Sequence, residues 1–154
     1  MWQNAAGFTL YIITEGKHMP PLQRYKISDA EYPEGVRRMA DPPAQLYVQS
    51  QNFADLLARP KVAIVGSRKV TAYGKTVTIK LAGQLARAGI VVVSGLALGI
   101  DSIAHRAVLE AGGLTIAVLP TSIERIYPAS HTNLAREITQ QGGALCSEYQ
   151  RPRI

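Results

Sequence analysis

The sequence predicts an α/β protein: a doubly wound, Rossmann-like, mostly parallel sheet of about four to five strands with helices on both faces. Three observations point there. From residue 62 onward, short apolar runs alternate with stretches long enough for helices. The runs are nearly free of polar residues, as strands buried on both faces require. Glycine stands at most of the junctions between them, where turns and helix ends favour it. Strands and helices in alternation imply βαβ units with right-handed crossovers.

Residues 1–60 show no sustained periodicity, and Pro20-Pro21, Pro33, Pro42-Pro43 and Pro60 punctuate them. They read as an irregular N-terminal arm with short elements. Within it, residues 46–48 are expected to add an edge strand, and Asn52 to cap a short helix through Leu57. The main domain is expected over residues 61–154. Val62-Ala63-Ile64-Val65 is its first buried strand, closed by Gly66. Val77, Leu81, Leu85 and Ala88 recur at helical spacing and predict the core face of the first helix, with Gly89 as its C-terminal cap. Residues 90–93 form the second strand. Ile100, Ile103, Ala104, Ala107, Val108 and Ala111 share a face of the second helix, which Gly112-Gly113 ends. Residues 114–119 give the third strand. Leu134, Ile138 and Gln141 mark a third helix ended by Gly142-Gly143, and residues 144–146 a last strand.

With 154 residues, 47% hydrophobic and 18% charged, the chain has the composition of one globular domain with a real core. That excludes a disordered tail, a fibrous repeat and a disulfide-rich miniprotein. Its single cysteine, Cys146, supplies neither an intrachain bridge nor a structural zinc site and fits a reducing cytoplasm. The apolar runs fall far short of the roughly 20 residues of a membrane span. Residues 8–13 are too short for a secretory signal and no basic residue precedes them, so a cytoplasmic location is expected.

Net charge is +6, and its placement is uneven. Residues 1–60 balance six basic against six acidic side chains, whereas residues 61–154 carry eleven against five. A surplus there favours polyanionic partners such as nucleic acid or nucleotides, although solubility alone would also account for it.

In open parallel sheets, ligands bind at the carboxyl ends of the strands, near the point where strand order reverses. Two loops leave strands at that edge. One is Gly66-Ser67-Arg68-Lys69, leading to Thr71 as a helix N-cap. The other is Ser94-Gly95-Leu96-Ala97-Leu98-Gly99-Ile100-Asp101, entering the second helix. Both set small residues, hydroxyls and backbone N–H groups ahead of a helix N-terminus, an arrangement that attracts anions. Arg68 and Lys69 add positive charge. The simpler role for Gly66, Gly95 and Gly99 is to make tight turns; two such loops on one edge predict a phosphate site.

A dinucleotide fingerprint is missing, since the first loop has only Gly66 and the second strand ends in Ser94 rather than an acid. Gly74-Lys75-Thr76 follows Gly66 at too wide a spacing for a phosphate loop of the Walker type and falls inside the first helix. Catalytic groupings are thin. Asp101 and His105, four apart on one helix, could make an acid–base pair, but a cap and a core histidine account for them better. His131 has no second metal ligand at a suitable spacing. Ser67 and Ser94 lack the glycines of a nucleophile elbow. Cys146 lies in a core strand, and Glu148 follows it as a loop carboxylate. No catalytic residue, metal or cofactor is therefore expected.

The motifs themselves resemble the DprA/Smf family of DNA-processing proteins. They are Val62-Ala63-Ile64-Val65-Gly66-Ser67-Arg68, then Val93-Ser94-Gly95-Leu96-Ala97 with Gly99-Ile100-Asp101 and Ala104-His105, then Thr115-Ile116-Ala117-Val118-Leu119, Ile126-Tyr127-Pro128 and Ser147-Glu148-Tyr149. Tyr32-Pro33 and Asp41-Pro42-Pro43-Ala44-Gln45-Leu46-Tyr47-Val48 resemble that family's lead-in, with Ser50 where it usually has glycine. The resemblance implies a non-enzymatic mediator of recombination that binds single-stranded DNA, protects it during natural transformation and loads RecA recombinase onto it. It implies that Arg68 grips a phosphate while Ser67 and Gly66 donate hydrogen bonds to it, that Ser94, Gly95 and Gly99 form the facing wall, and that Tyr127 and Asn133 line the same cleft. Tyr127 could stack on a base or simply pack before its proline. The resemblance covers residues 25–149, the first half of the family's domain, as in a short or truncated member. RecA loading and a homodimer, which draw on the second half, are left open. The alternative is an enzyme of the lysine-decarboxylase-like group acting on a nucleoside monophosphate, but Leu119-Pro120-Thr121-Ser122-Ile123 lacks that group's glycine-rich loop.

Overall fold

A computed structural model of the chain describes residues 19–150. Residues 8–13 and the closing Arg151 to Ile154 lie outside them. The described chain runs β1 (Leu22–Lys26), α1 (Glu34–Arg37), β2 (Gln45–Gln49), α2 (Phe53–Ala58), β3 (Lys61–Ala63), α3 (Ala72–Arg87), β4 (Val91–Ser94), α4 (Ile100–Glu110), β5 (Thr115–Leu119), a 3₁₀ turn (Ala129–His131), α5 (Thr132–Gln140) and β6 (Ala144–Ser147). The strands make one six-stranded sheet in the order β1-β2-β6-β5-β4-β3. β3, β4, β5 and β6 are mutually parallel, while β1 and β2 join antiparallel.

The alternating strand–helix pattern thus yields the expected mostly parallel sheet, with two differences in extent. Residues 46–48 belong to an internal strand rather than an edge, because β1 covers the far side of β2. β1 itself has little apolar content and only Tyr25 half-buried, packed on Phe53 with ring centroids 5.6 Å apart. The helical layers are uneven. Val92, Ala117, Leu119 and Leu145 face α3, α4 and α5 on one side. The opposite residues Val91, Ile116, Ala144 and Cys146 meet α2 through Phe53 and Leu56. Because strand order advances steadily from β3 to β6, the three crossovers stay on one side, and strand order does not reverse among the parallel strands described.

Two expectations fail. Val62-Ala63-Ile64-Val65 is not buried on both faces: β3 is an edge strand, with Val62 39% and Val65 73% exposed. The apolar run reflects the sheet it belongs to, not cover from the described residues. Likewise α3 does not bury the row of Val77 and Leu81, which are 41% and 46% exposed. It packs through small residues instead: Ala82 and Ala86 lie against Ala104, Ala107 and Val108 of α4. Small side chains let the two helix backbones approach closely; of the predicted row only Leu85 is partly buried against this cluster, while Val77 and Leu81 turn to solvent. The predicted cap at Thr71 is present, its hydroxyl accepting the Gly74 N–H at 3.0 Å.

Candidate functional site

The loops after β3, β4 and β5 meet at the carboxyl edge of the sheet. Arg68, Gly95, Ala97, Leu98, Pro120, Tyr127 and Pro128 line one shallow cavity of about 60 Å³ there. The first loop is shaped by the second. Ile100 donates its N–H to the Ser67 carbonyl at 3.2 Å. A Cβ on Gly66 would sit 2.7 Å from the Ile100 side chain. Gly99 takes φ 87°, and a Cβ there would meet the Ser67 carbonyl oxygen and lie 2.7 Å from the Arg68 Cα. Glycine is required at that contact both for its backbone angle and for the approach.

Each expected site residue has a definite place. Arg68 and Gly95 share the cavity, so the guanidinium-bearing loop and the Ser94 loop do converge. Arg68 and Lys69 are exposed and take part in no ion pair among the described residues. The Ser67 hydroxyl turns inward on its own loop, accepting from the Lys69 N–H at 3.1 Å and donating to the Lys69 carbonyl at 2.8 Å. Ser94 is 3% exposed and donates to the Ile64 carbonyl at 2.6 Å. Its hydroxyl ties β3 to β4. The Gly95 N–H is engaged by the Asp101 carboxylate at 3.1 Å, so Gly95 offers the ligand close backbone and not a donor. The amides of Leu96, Ala97, Leu98 and Gly99, by contrast, meet no protein acceptor among the described residues. Leu96 is fully buried, which leaves the amides of Ala97, Leu98 and Gly99 as the loop's candidate anion donors.

Tyr127 is 61% exposed and lines the cavity, followed by a cis bond to Pro128. Asn133 is exposed on α5 and does not line it. Ala97, Leu98, Pro120 and Pro128 were missed as individual residues. Their signal was their place inside the quoted motifs; Leu98 is half-exposed where Leu96, two residues before it, is fully buried.

Asp101 and His105 do not form a pair. Asp101 holds Gly95, while the fully buried His105 sits at 2.8 Å from Thr115 Oγ1 through Nδ1. Since that hydroxyl donates to the Val92 carbonyl, the proton must be on Nδ1 of His105, leaving Nε2 without a partner. Burial, with His131 adding to it, pulls this imidazole down to about 4. Burial likewise pushes the Cys146 thiol up to about 12, where it is unreactive at neutral pH. No group of three metal-ligating side chains occurs among the described residues.

The fold and the site together define an α/β domain that presents an arginine, a lysine and a run of unpaired amides at the carboxyl edge of a parallel sheet. Residues 23–153 match the family described as DNA recombination-mediator protein A, and the chain belongs to that family. It is 39% identical over 123 residues to protein Smf of Escherichia coli and 42% identical over 109 residues to DNA processing protein DprA of Bacillus subtilis. These matches take in 79% and 71% of this chain but 32% and 36% of those proteins, so it spans about a third of their length. Among solved structures it is similar to DNA processing protein A from Streptococcus pneumoniae, with a TM-score of 0.74 and 37% identity over 83% of this chain and 44% of that one. It is also similar to the Helicobacter pylori protein, described for its single-stranded-DNA binding mode, with a TM-score of 0.75 and 37% identity over 90% and 60%.

Proposed function

We propose that this domain binds single-stranded DNA by its backbone, as a recombination mediator of the DprA type and without enzymatic activity. The observation that carries the reading is the shared cavity of Arg68 and Gly95, with an unpaired arginine on one side and free loop amides on the other. Phosphates would lie against Arg68, Lys69 and the amides of residues 97–99, contacts that fix position without reading sequence. Tyr127 offers an exposed ring for stacking a base.

Three observations weigh against an enzyme acting on a nucleoside monophosphate. The cavity is far smaller than the roughly 300–1,000 Å³ of sites that enclose small molecules. Among the described residues no carboxylate lines it to serve as a general base. The 119–123 loop is also engaged internally: the Thr121 hydroxyl donates to the Arg125 carbonyl, and the Thr121 carbonyl accepts from Ser147. Protection of incoming DNA, hand-over to RecA, a homodimer and a cytoplasmic location belong to the same family reading. Among the described residues no helix is long and apolar enough to cross a membrane.

The test is a fluorescence-anisotropy titration with an oligo-dT strand, run in parallel with AMP. Binding of the strand, weakened at least tenfold in Arg68→Ala, is expected; the loss of one charge-assisted phosphate contact is worth roughly 1.5–3 kcal/mol. Tight AMP binding with no measurable affinity for the strand would replace this reading by the enzyme.

A further inference from the structure

The Ser94 loop is held by two buried polar side chains that the DNA-facing set does not include. At one point the Asp101 carboxylate, 6% exposed, accepts the Gly95 N–H at 3.1 Å. One residue on, the His131 ring, 7% exposed, lies 2.8 Å from the Leu96 carbonyl through Nδ1. A carbonyl only accepts, so His131 donates and its proton is on Nδ1. Between these two bonds stands Leu96, its side chain fully buried and its φ at 60°. That is the left-handed region, which side chains other than glycine avoid unless their surroundings impose it. Immediately downstream come the amides of Ala97, Leu98 and Gly99, which meet no protein acceptor among the described residues, and Ala97 and Leu98 line the cavity with Arg68.

We propose that Asp101 and His131 are positioning residues for the phosphate site. The carboxylate grips the N–H before Leu96 and the imidazole grips the carbonyl after it. Together they hold the peptide in its left-handed turn, so that the amides of residues 97–99 stay unpaired in the loop that shares the cavity with Arg68. The proposal rests on the reading of this site as a seat for DNA phosphates. It explains an otherwise unfavourable placement: a buried carboxylate one loop away from an anion site repels the ligand, and its use there follows from the strength of a charged acceptor on a backbone N–H.

The sign of one substitution separates positioning from electrostatics. Asp101→Asn keeps an oxygen for the Gly95 N–H and removes the repulsive charge. His131→Asn keeps a donor near the place of Nδ1. Anisotropy titrations with the oligo-dT strand would compare wild type, Asp101→Ala, Asp101→Asn, His131→Ala, His131→Asn and Arg68→Ala, with melting curves for each. The expected result is at least tenfold weaker binding for both alanine variants, His131→Asn within threefold of wild type, and Asp101→Asn at or above wild-type affinity. With Arg68→Ala weakened, alanine variants that bind like wild type would overturn the proposal, as would asparagine variants that lose as much as the alanines. Arg68→Ala that binds like wild type would instead sink the DNA reading itself. If an alanine variant fails to fold, Asp101→Glu decides: its extra methylene carries the carboxylate past the Gly95 N–H. Weakened binding at an unchanged melting temperature is expected there, and wild-type binding overturns the idea.

Discussion

At Gly99 a single added methyl group would press on the Ser67 carbonyl and come within 2.7 Å of the Arg68 Cα, in a backbone conformation with φ 87°. Neither obstacle is the end of a flexible side chain, so relief requires the Arg68 loop to move. Gly99→Ala should therefore cost about 2–4 kcal/mol in a urea melt and weaken binding of the oligo-dT strand, whereas Gly35→Ala, with open space around it, should do neither. His105 makes a different residue-scale prediction. Its folded value near 4 lies below the ordinary 6.5, so the folded state resists a proton that the unfolded chain accepts. Above pH 6.5 neither state is protonated and nothing changes. As pH falls from 6.5 toward 4, the unfolded state is progressively favoured, by about 3 kcal/mol in all. Melting curves at pH 7.5 and pH 5 should show this loss, and His105→Leu should flatten it.

Among the elements, α3 tests whether apolar periodicity identifies a packing face. The row of Val77 and Leu81 has the helical spacing of a core stripe, yet both side chains are more than 40% exposed. Ala82, 0% exposed, carries the contact with α4. A face of small residues has little hydrophobic signal, so a pattern read from large ones meets it only at Leu85, which is partly buried against the same cluster. The structure predicts that Val77→Lys and Leu81→Lys shift Tm by less than about 2 °C, as surface changes do. Ala82→Leu should instead overpack the α3–α4 contact and cost about 1–3 kcal/mol. Thermal melts of the three variants check this, and the reverse order would mean that α3 is rotated. The fault in reading β3 has the same root. Val62-Ala63-Ile64-Val65 is as apolar as the runs of β4 and β5, and nothing local says which strand lies at an edge. α4 and α5 were legible because Ala104, Ala107, Val108, Leu134 and Ile138 are both apolar and buried.

For the molecule as a whole, the parallel sheet was legible because four apolar runs alternate with helical stretches, and the candidate loops because each is a local string at a strand end. What escaped was non-local. β1 is defined by its register against β2, Leu22 opposite Gln49. The Ser94 hydroxyl is engaged by Ile64, thirty residues away, and the Gly95 amide by Asp101. The same distinction between local and global applies to charge. The surplus of +6 could attract a polyanion through the field of the entire molecule, or through Arg68 and Lys69 at the cavity. α3 offers the control: Lys75, Lys80 and Arg87 lie along it with no acidic residue. Lys80 stands nine residues beyond the Thr71 cap, roughly 13 Å along the helix at 1.5 Å per residue. That exceeds the screening length of about 8 Å at physiological salt. If binding is local, two phosphates are neutralised, and log affinity should fall against log salt with a slope of about −1.4, at roughly 0.7 per phosphate on a single strand. Arg68→Ala should then halve the slope and Lys80→Ala leave it unchanged. A slope beyond about −3, reduced as much by Lys80→Ala as by Arg68→Ala, would show that the molecular field and not the cavity holds the strand. An anisotropy salt series on the three proteins reads the difference directly.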